Sequence, residues 1–435
     1  MRKIIQYMMM ALIAVVLASC ANDISEESTP TVKSNIRFVV DDFPMFEKPS
    51  TRTIGEEDKG KTAWAVGDEI CVKLESKELG TQTATLKYNG VKFELQDGNS
   101  LGYLDGEPVT AYAYYAPNRK WLNDGNLGYK DGEHDGTAEF LEATCTVHYG
   151  DDNYVDISFA NATRNYSRLR IATIPKTEIK VDADNFAPTD NPNLLYMTYT
   201  LTSDEKGNAY LYGTFDNNSI VTVKYRGATL KTYKFSKETE NAKSYALDAS
   251  IISLTDEAIT YDQIVGNVKK ELDAGKTYIN LMLAPDADEE TLDAIHIGLA
   301  GASYGTINLT LIGCKKIPSG GFMYWKMLKS IALPDVTEIA EKAFLDCTRL
   351  QKVVLGNLTK VYGNVGKKGI FDGCKTKDID LVLSKDQKVM NGGETEGGYC
   401  WTADITKDYS GSNEHNGRVF LDYDFQSITC VYPVP

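Results

Sequence analysis

The stretch LKSIALPDVTEIAEKAFLDCTRLQKVVLGNL, which occupies residues 328–358, contains two copies of one strand-and-turn phrase. Equivalent apolar residues in these copies, and in the copies on either side, are 22 residues apart. A fixed period of this length predicts a solenoid, in which each repeat buries its apolar side only against its neighbours. The positions that keep the period are Leu311, Leu333 and Leu355; Ile317, Ile339 and Val361; and Phe322 and Phe344.

Each repeat is predicted to contain a short strand, a turn and a short helix. Residues 328–333 read as the strand and residues 343–350 as the helix. The phrase resembles the leucine-rich repeat of the BspA type. This resemblance implies an α/β solenoid with a buried, inert cysteine column at Cys347 and Cys374. The repeats on either side depart from this phrase. The following repeat has five added residues ahead of Phe371, and in the preceding repeat Trp325 occupies the cysteine position. The remaining repeat positions are Leu350, Phe371 and Cys374.

Caps are expected at both ends of this array. Helical spacing of apolar residues predicts one helix over residues 261–274, ended by Gly275, and a second over residues 288–299. The tail, which contains Trp401, Phe420, Phe425 and Ile428, is expected to fold over the open end. Residues 254–435 are therefore predicted to form one leucine-rich-repeat domain with a helical amino-terminal cap.

Short alternating strands dominate the chain before this domain. Turn pairs such as Asn89-Gly90 separate them, and no helical periodicity of useful length interrupts them. We therefore expect two antiparallel β-sandwiches, one over residues 34–130 and one over residues 131–253. The predicted fold class is multidomain, with two sandwiches followed by a short α/β solenoid.

Residues 51–53 (TRT) and 64–70 (WAVGDEI) resemble a pattern of the fimbrillin family of lipid-anchored surface proteins. The likeness covers roughly residues 31–250 and implies subunits that assemble by exchange of β-strands. Within the pattern, Trp64 and Asp68 are interpreted as a packed aromatic residue and a turn-forming carboxylate rather than as ligand-binding residues.

The first twenty residues resemble a bacterial lipoprotein signal. Arg2 and Lys3 precede a twelve-residue apolar run, residues 7–18, that is too short to cross a bilayer about 30 Å thick. The run ends in Leu-Ala-Ser-Cys at residues 17–20. We expect residues 1–19 to be removed as a signal peptide and Cys20 to carry acyl chains such as palmitate; the alternative is an ordinary secretory signal. Residues 20–33 form the predicted tether. The resemblance implies a lipid anchor in the outer membrane and exposure at the cell surface.

Composition narrows the classes of partner. The 435 residues include 46 Lys and Arg against 61 Asp and Glu, a formal net charge of −15. Nucleic acid is not an expected partner, because a duplex requires a basic face. Beyond Cys20 the cysteines are widely spaced and odd in number, which indicates neither a disulfide framework nor a zinc motif. Pairing of Cys400 with Cys430 stays open.

Fragments of catalytic and metal-binding motifs are present. Gly301, Ser303 and Gly305 match the nucleophile elbow of α/β-hydrolases, but here a predicted helix precedes the motif and a strand follows, which is the reverse of the required order. Residues 182–190 contain several carboxylates without the spacing of a calcium loop, and residues 363–367 lack the Ser or Thr of a phosphate loop. No cofactor and no metal are expected.

The function expected from these observations is that of a non-catalytic surface adhesin, which binds a protein or glycan ligand through the repeat domain. The alternative is a fimbrial anchor or tip subunit that assembles with other fimbrial subunits by strand exchange. A remote alternative is a serine hydrolase that uses Ser303.

Overall fold

The computed structural model describes residues 32–33, 36–47, 60–104, 106–150, 153–159, 164–189, 196–256, 258–362, 369–384, 387, 389–392, 399–402, 414–416 and 419–431. The predicted signal peptide, Cys20, most of the tether and residues 51–53, 190 and 363–367 lie outside these ranges. Within them, no helix is both long and apolar enough to cross a membrane.

The first unit is built on a seven-stranded sheet with the order β2-β11-β10-β7-β3-β4-β5. All neighbours are antiparallel except β2 and β11, which are parallel. Two small two-stranded sheets, β1-β6 and β8-β9, flank it. The strands are β1 (Val32–Lys33), β2 (Arg37–Val40), β3 (Glu69–Ser76), β4 (Gly80–Tyr88), β5 (Phe93–Leu95), β6 (Tyr103–Leu104), β7 (Val109–Tyr115), β8 (Arg119–Trp121), β9 (Leu127–Tyr129), β10 (Leu141–His148) and β11 (Tyr154–Ser158).

The second unit is a six-stranded sheet around one long strand. The order is β14-β13-β15-β12-β17, and β16 pairs with the second half of β15. A bulge between Asp184 and Phe186 lets β13 follow β15 along both halves. The strands are β12 (Ser167–Ala172), β13 (Glu178–Pro188), β14 (Tyr196–Thr202), β15 (Asn208–Tyr225), β16 (Ala228–Lys234) and β17 (Ser244–Asp248).

The third unit contains a seven-stranded, fully parallel sheet, β18-β19-β20-β22-β24-β26-β32, and a second sheet, β21-β23-β25-β27-β28-β29. A hairpin of β30 and β31 and a short 3₁₀-helix (Thr376–Asp378) complete it. The elements are β18 (Ile252–Leu254), α1 (Tyr261–Asp273), β19 (Tyr278–Leu283), α2 (Glu289–Gly298), β20 (Ile307–Ile312), β21 (Lys316–Ile317), β22 (Leu328–Leu333), β23 (Glu338–Ile339), β24 (Lys352–Leu355), β25 (Lys360–Val361), β26 (Asp380–Ser384), β27 (Val389–Gly392), β28 (Tyr399–Thr402), β29 (Glu414–Asn416), β30 (Val419–Phe420), β31 (Tyr423–Asp424) and β32 (Ser427–Val431).

The expected α/β leucine-rich-repeat solenoid is wrong as a fold class. The described chain is mostly β, with two α-helices, and residues 343–350 form turns rather than a helix. The reason is visible in the backbone. The N–H groups of Phe322 and Phe344 donate to the carbonyls of Ala343 and Ile370 in the following turn, at 2.8 Å each, so they are not used within a helix.

The two expected sandwiches also require correction. Each of the first two units is dominated by a single sheet with one parallel pair at or near its edge. The first sheet curls into a near-barrel, in which Cα atoms of its edge strands β2 and β5 come within 8 Å. The expected boundary at residue 130 lies inside this unit, because β10 and β11 belong to its sheet. The boundary at residue 253 lies inside β18, which pairs with β19.

Contacts join the units in sequence. Buried Arg164 pairs with buried Glu139 between the first and second units. Ala228 of β16 packs against Ala332, Val354 and Val382 on the outer face of the parallel sheet. β16 therefore covers part of that face.

Candidate functional site

A groove of about 640 Å³ lies between the edge strands of the first unit. Its lining comes from β2 and residues 41–42 on one side, and from Tyr88 and residues 91–95 on the other, with Trp64. Trp64 is fixed by neighbouring rings, since its centroid lies 4.9 Å from that of Phe93 and 4.8 Å from that of Phe43. Its indole N–H also donates to the carbonyl of Asp41 at 2.8 Å. Trp64 therefore forms a rigid aromatic wall in a groove that charged side chains also line, among them Asp42, Lys92 and Glu94.

Backbone groups of both edge strands face this groove. Arg37 and Asp41 donate their N–H groups to the carbonyls of Asn153 and Ile157, so the alternation of a parallel pair directs the backbone groups of Phe38 and Val40 away from β11. On β5, the backbone hydrogen bonds on either side of Glu94 are made on the side of β4. The backbone N–H and C=O groups of Phe93 and Leu95 therefore point away from β4. In the described chain no strand pairs with either of these edges.

Exposed valines surround the groove. Val39, Val66 and Val91 are between 37% and 86% exposed, although β-branched apolar side chains favour half-buried positions. Val91 follows the Asn89-Gly90 turn, and a Cβ at Gly90 would lie 3.2 Å from a methyl group of Val66. The groove thus has exposed apolar side chains at its rim, next to the charged side chains that line it.

The fimbrillin-like pattern lies beneath this rim. Asp68 accepts a hydrogen bond from the N–H of Ala65 at 2.6 Å and pairs with Lys61, so it has the turn-forming role expected of it. Gly67, at a φ of 96°, completes the turn, and its N–H donates to the carbonyl of Tyr88. The turn fixes Trp64 beside β5.

A second cavity of about 590 Å³ lies where the first and second units meet. Arg168 and Arg170 project from one face of β12, and the Arg168 guanidinium lies 4.4 Å from the centroid of Tyr210. Arg168 also donates to Ser244 at 2.9 Å, and Arg170 donates to Asn208 at 3.1 Å. Both guanidinium groups therefore have structural partners.

Ser303 lies in an exposed turn between α2 and β20, and its carbonyl accepts a hydrogen bond from the Thr306 hydroxyl at 2.7 Å. His296 stacks on Trp325 at 4.7 Å between ring centroids, and burial lowers its pKa. His415 belongs to β29, on the far sheet of the unit. The described residues contain no cluster of three or more potential metal ligands.

The repeat positions lie between the two sheets of the third unit. Phe322, Phe344 and Phe371 stack with centroid separations of 5.3 and 4.9 Å. The Cys347 thiol donates to the carbonyl of Phe322 at 2.9 Å, and the half-buried Cys374 thiol donates to that of Phe344 at 3.0 Å. The hydrogen bond to Cys374, followed by burial, raises the pKa of Cys347. The other positions, all buried, are Leu311, Ile317, Leu333, Ile339, Leu350, Leu355 and Val361.

Cys430 lies half-buried on β32 and carries a free thiol, and its pKa is raised by burial. Cys400 belongs to β28, where side chains lie outside the described residues, so the pairing of these two cysteines stays open.

Sequence reasoning missed the groove. Only the exposed valines beside the turn glycines Gly67 and Gly90 could have indicated it, because a turn rarely requires a β-branched residue at its edge.

No protein-family model matches the chain, and no curated protein matches it. Among solved structures, the chain is similar to a proposed cell adhesion protein from Bacteroides fragilis NCTC 9343, with a TM-score of 0.24, 11% identity, and coverage of 49% of this chain and 92% of that one. It is also similar to two variants of the shaft pilin SpaA from Lactobacillus rhamnosus GG, with TM-scores of 0.18 and 0.17 and identities of 11% and 12%. Each covers 51% of this chain, and 97% or 98% of the pilin is matched. Likenesses at these TM-scores define neither fold nor function, and the fimbrillin resemblance stays a prediction.

Proposed function

We propose that this chain is a non-catalytic cell-surface protein that joins a fibre, as an anchor or tip subunit, by accepting a β-strand into the groove between β2 and β5. The observation that carries the proposal is the pair of strand edges that face each other across the groove. An exposed strand edge is a template for another strand, and folded proteins usually cover it. Here exposed valines lie among the charged side chains of the rim, and exposed apolar side chains beside an open strand edge favour docking of a partner.

The recognition mode is β-strand addition. Main-chain hydrogen bonds from the incoming strand would reach Phe38 and Val40 on one side, and Phe93 and Leu95 on the other. Alternate side chains of that strand would face Trp64 and the rim valines in turn. Two strand spacings amount to roughly 9.6 Å, so edges that come within 8 Å must separate slightly to admit the strand.

A lipid anchor at Cys20 in the outer membrane is included in this proposal and accounts for a subunit at the base of a fibre. A second candidate function is that of an adhesin, which binds its ligand through the third unit. A cluster of exposed aromatic side chains on that unit favours it as a separate activity of the same chain.

The groove is tested with proline. The Val40→Pro variant removes a backbone N–H that faces the groove but none that pairs with β11, and Val40→Thr is the matched control that keeps the N–H. In cells that make the full chain, we expect immunogold electron microscopy to find wild type and Val40→Thr in surface fibres and to find Val40→Pro folded but absent from them.

A photo-crosslinking residue at Val91, on the rim, should then capture a fibre subunit, whereas one at the distant, exposed Leu79 should not. Incorporation of folded Val40→Pro into fibres at the wild-type level, or equal capture from both positions, would refute strand insertion at this groove.

A further inference from the structure

Exposed apolar side chains cluster at one edge of the third unit. Ile297 lies at the end of α2, Tyr304 in the following turn, and Met323 and Tyr324 in the turn before β22. Tyr304 is 67% exposed and Tyr324 is 51% exposed. We call these four residues the aromatic patch.

Backbone contacts bring the segments of the aromatic patch together. The N–H of Gly305 donates to the carbonyl of Lys326 at 2.9 Å, which places Tyr304 beside the 323–326 turn. The stack of His296 on Trp325 fixes the end of α2 against the same turn. The patch is therefore one surface, formed by neighbouring segments on a packed support.

Tyr324 has a left-handed backbone, with a φ of 66°. Such a conformation costs roughly 1–2 kcal/mol for a residue with a Cβ. The position 22 residues later holds Asp346 at a φ of 56°, and aspartate tolerates this region better than tyrosine does. The half-exposed Tyr324 ring lies outside the buried core, so folding alone does not explain why an aromatic residue occupies this strained position.

Two exposed cations flank the aromatic patch. Lys326 lies two residues after Tyr324. A Cβ placed on Gly305 would lie 3.2 Å from the Cβ of Arg349, so the Arg349 stem runs past Gly305, the residue after Tyr304. No ion pair within the described chain involves Lys326 or Arg349. The nearby carboxylates contact other residues. Asp293 accepts a hydrogen bond from the Tyr261 hydroxyl at 2.7 Å, and the Asp346 side chain lies against Gly373. A local positive charge on a chain with a net charge of −15 favours an anionic partner.

We propose that the aromatic patch, with Lys326 and Arg349, binds an acidic polysaccharide. Sugar rings would stack on Tyr304 and Tyr324, and carboxylate or sulfate groups would pair with the two cations. A peptide is the less favoured occupant, because β20, β22 and β24 are interior strands that leave no edge for backbone pairing. The proposal rests on the second candidate function, the adhesin, and assigns its ligand class.

The probes are size-defined hyaluronate and heparin oligosaccharides, which separate carboxylate from sulfate recognition, with neutral dextran as the control and polyglutamate as the acidic peptide. Titration calorimetry on the purified full chain should detect binding of at least one acidic oligosaccharide that weakens as salt rises. Neither dextran nor polyglutamate should compete.

Tyr324→Gly gives the most specific readout. It relieves the left-handed strain, so the melting temperature should rise, while loss of the ring should weaken glycan binding by about tenfold. Lys326→Gln should weaken binding and its salt dependence, whereas Lys269→Gln on α1 is a matched control that should change neither.

Absence of binding to every acidic oligosaccharide, or unchanged affinity in both patch variants, would overturn the proposal. Equal binding of polyglutamate without dependence on Tyr324 would overturn it in favour of an acidic peptide. If cells still adhere to a surface through the third unit while these oligosaccharides fail to bind, the adhesin function stands and only this ligand assignment fails.

Discussion

The Phe344→Ala substitution tests how the third unit is stabilised. The Phe344 side chain is fully buried between Phe322 and Phe371, with ring centroids 5.3 and 4.9 Å away and interplanar angles of 10° and 15°. Truncation of a buried phenylalanine costs about 3–5 kcal/mol through lost transfer energy and the cavity left behind. Each lost ring pair adds about 0.5–1.5 kcal/mol to the burial term, so we expect a loss in the upper half of that range.

Urea unfolding would measure the size of this loss of stability, and hydrogen exchange with mass spectrometry would show where in the chain it occurs. Deuterium uptake should rise over residues 300–383, whereas the sheet of the first unit, residues 36–158, should keep its protection, because each turn of the third unit is stabilised by its neighbours. Phe344→Leu keeps an apolar side chain and should lose less stability.

A loss below about 1 kcal/mol would show that the ring stack does not hold the unit together. A uniform rise in uptake along the whole chain would show instead that the three units unfold as one, and it would refute the expectation that residues 300–383 unfold separately.

Two further predictions concern a helix cap and the anchor. Asp288 caps α2 by accepting hydrogen bonds from the N–H and hydroxyl of Thr291, and these bonds lower its pKa, so Asp288→Ala should cost about 0.5–2 kcal/mol near neutral pH. The ionised cap stabilises the fold fully above the ordinary carboxyl pKa, and this stabilisation is lost as pH falls through the lowered pKa. Melting temperatures of wild type and variant, measured by calorimetry, should therefore converge in acid and differ at neutral pH. A difference in melting temperature that does not change with pH would argue against an ionised cap. Cys20→Ala should abolish labelling with a palmitate analogue and release the chain from the membrane fraction, and an unmodified Cys20 in wild-type membranes would contradict the lipid anchor.

Local and periodic features of the fold were predictable from the sequence. The two helices form where they were predicted, because the Thr260–Gln263 capping box and the apolar spacing of α1 are local signals. The 22-residue spacing reappears as strand register, in which Ile331 lies beside Val353 and Leu333 beside Leu355. Each of these features depends on residues close in sequence or on a repeated pattern.

Features that depend on contacts between distant segments were not predictable. Residues 343–350 have the spacing of a short helix, but hydrogen bonds to the next turn of chain outcompete the helix. The groove arises because a seven-stranded sheet curls until its edges, more than 50 residues apart in sequence, approach each other. Sheet curvature is set by twist and packing over the whole unit, which no short motif encodes.

The parallel pairs in the first two units determine how the chain carries mechanical load. In the first unit the early strand β2 pairs with the final strand β11, and in the second unit the first strand β12 pairs with the final strand β17. When the chain is pulled from both ends, the two strands of each pair slide past each other along their axes, so their hydrogen bonds are strained simultaneously. The strands of a hairpin would instead separate by breaking their hydrogen bonds in succession. Each of these two units therefore gains resistance to extension from strand direction alone, without a larger core or a covalent crosslink.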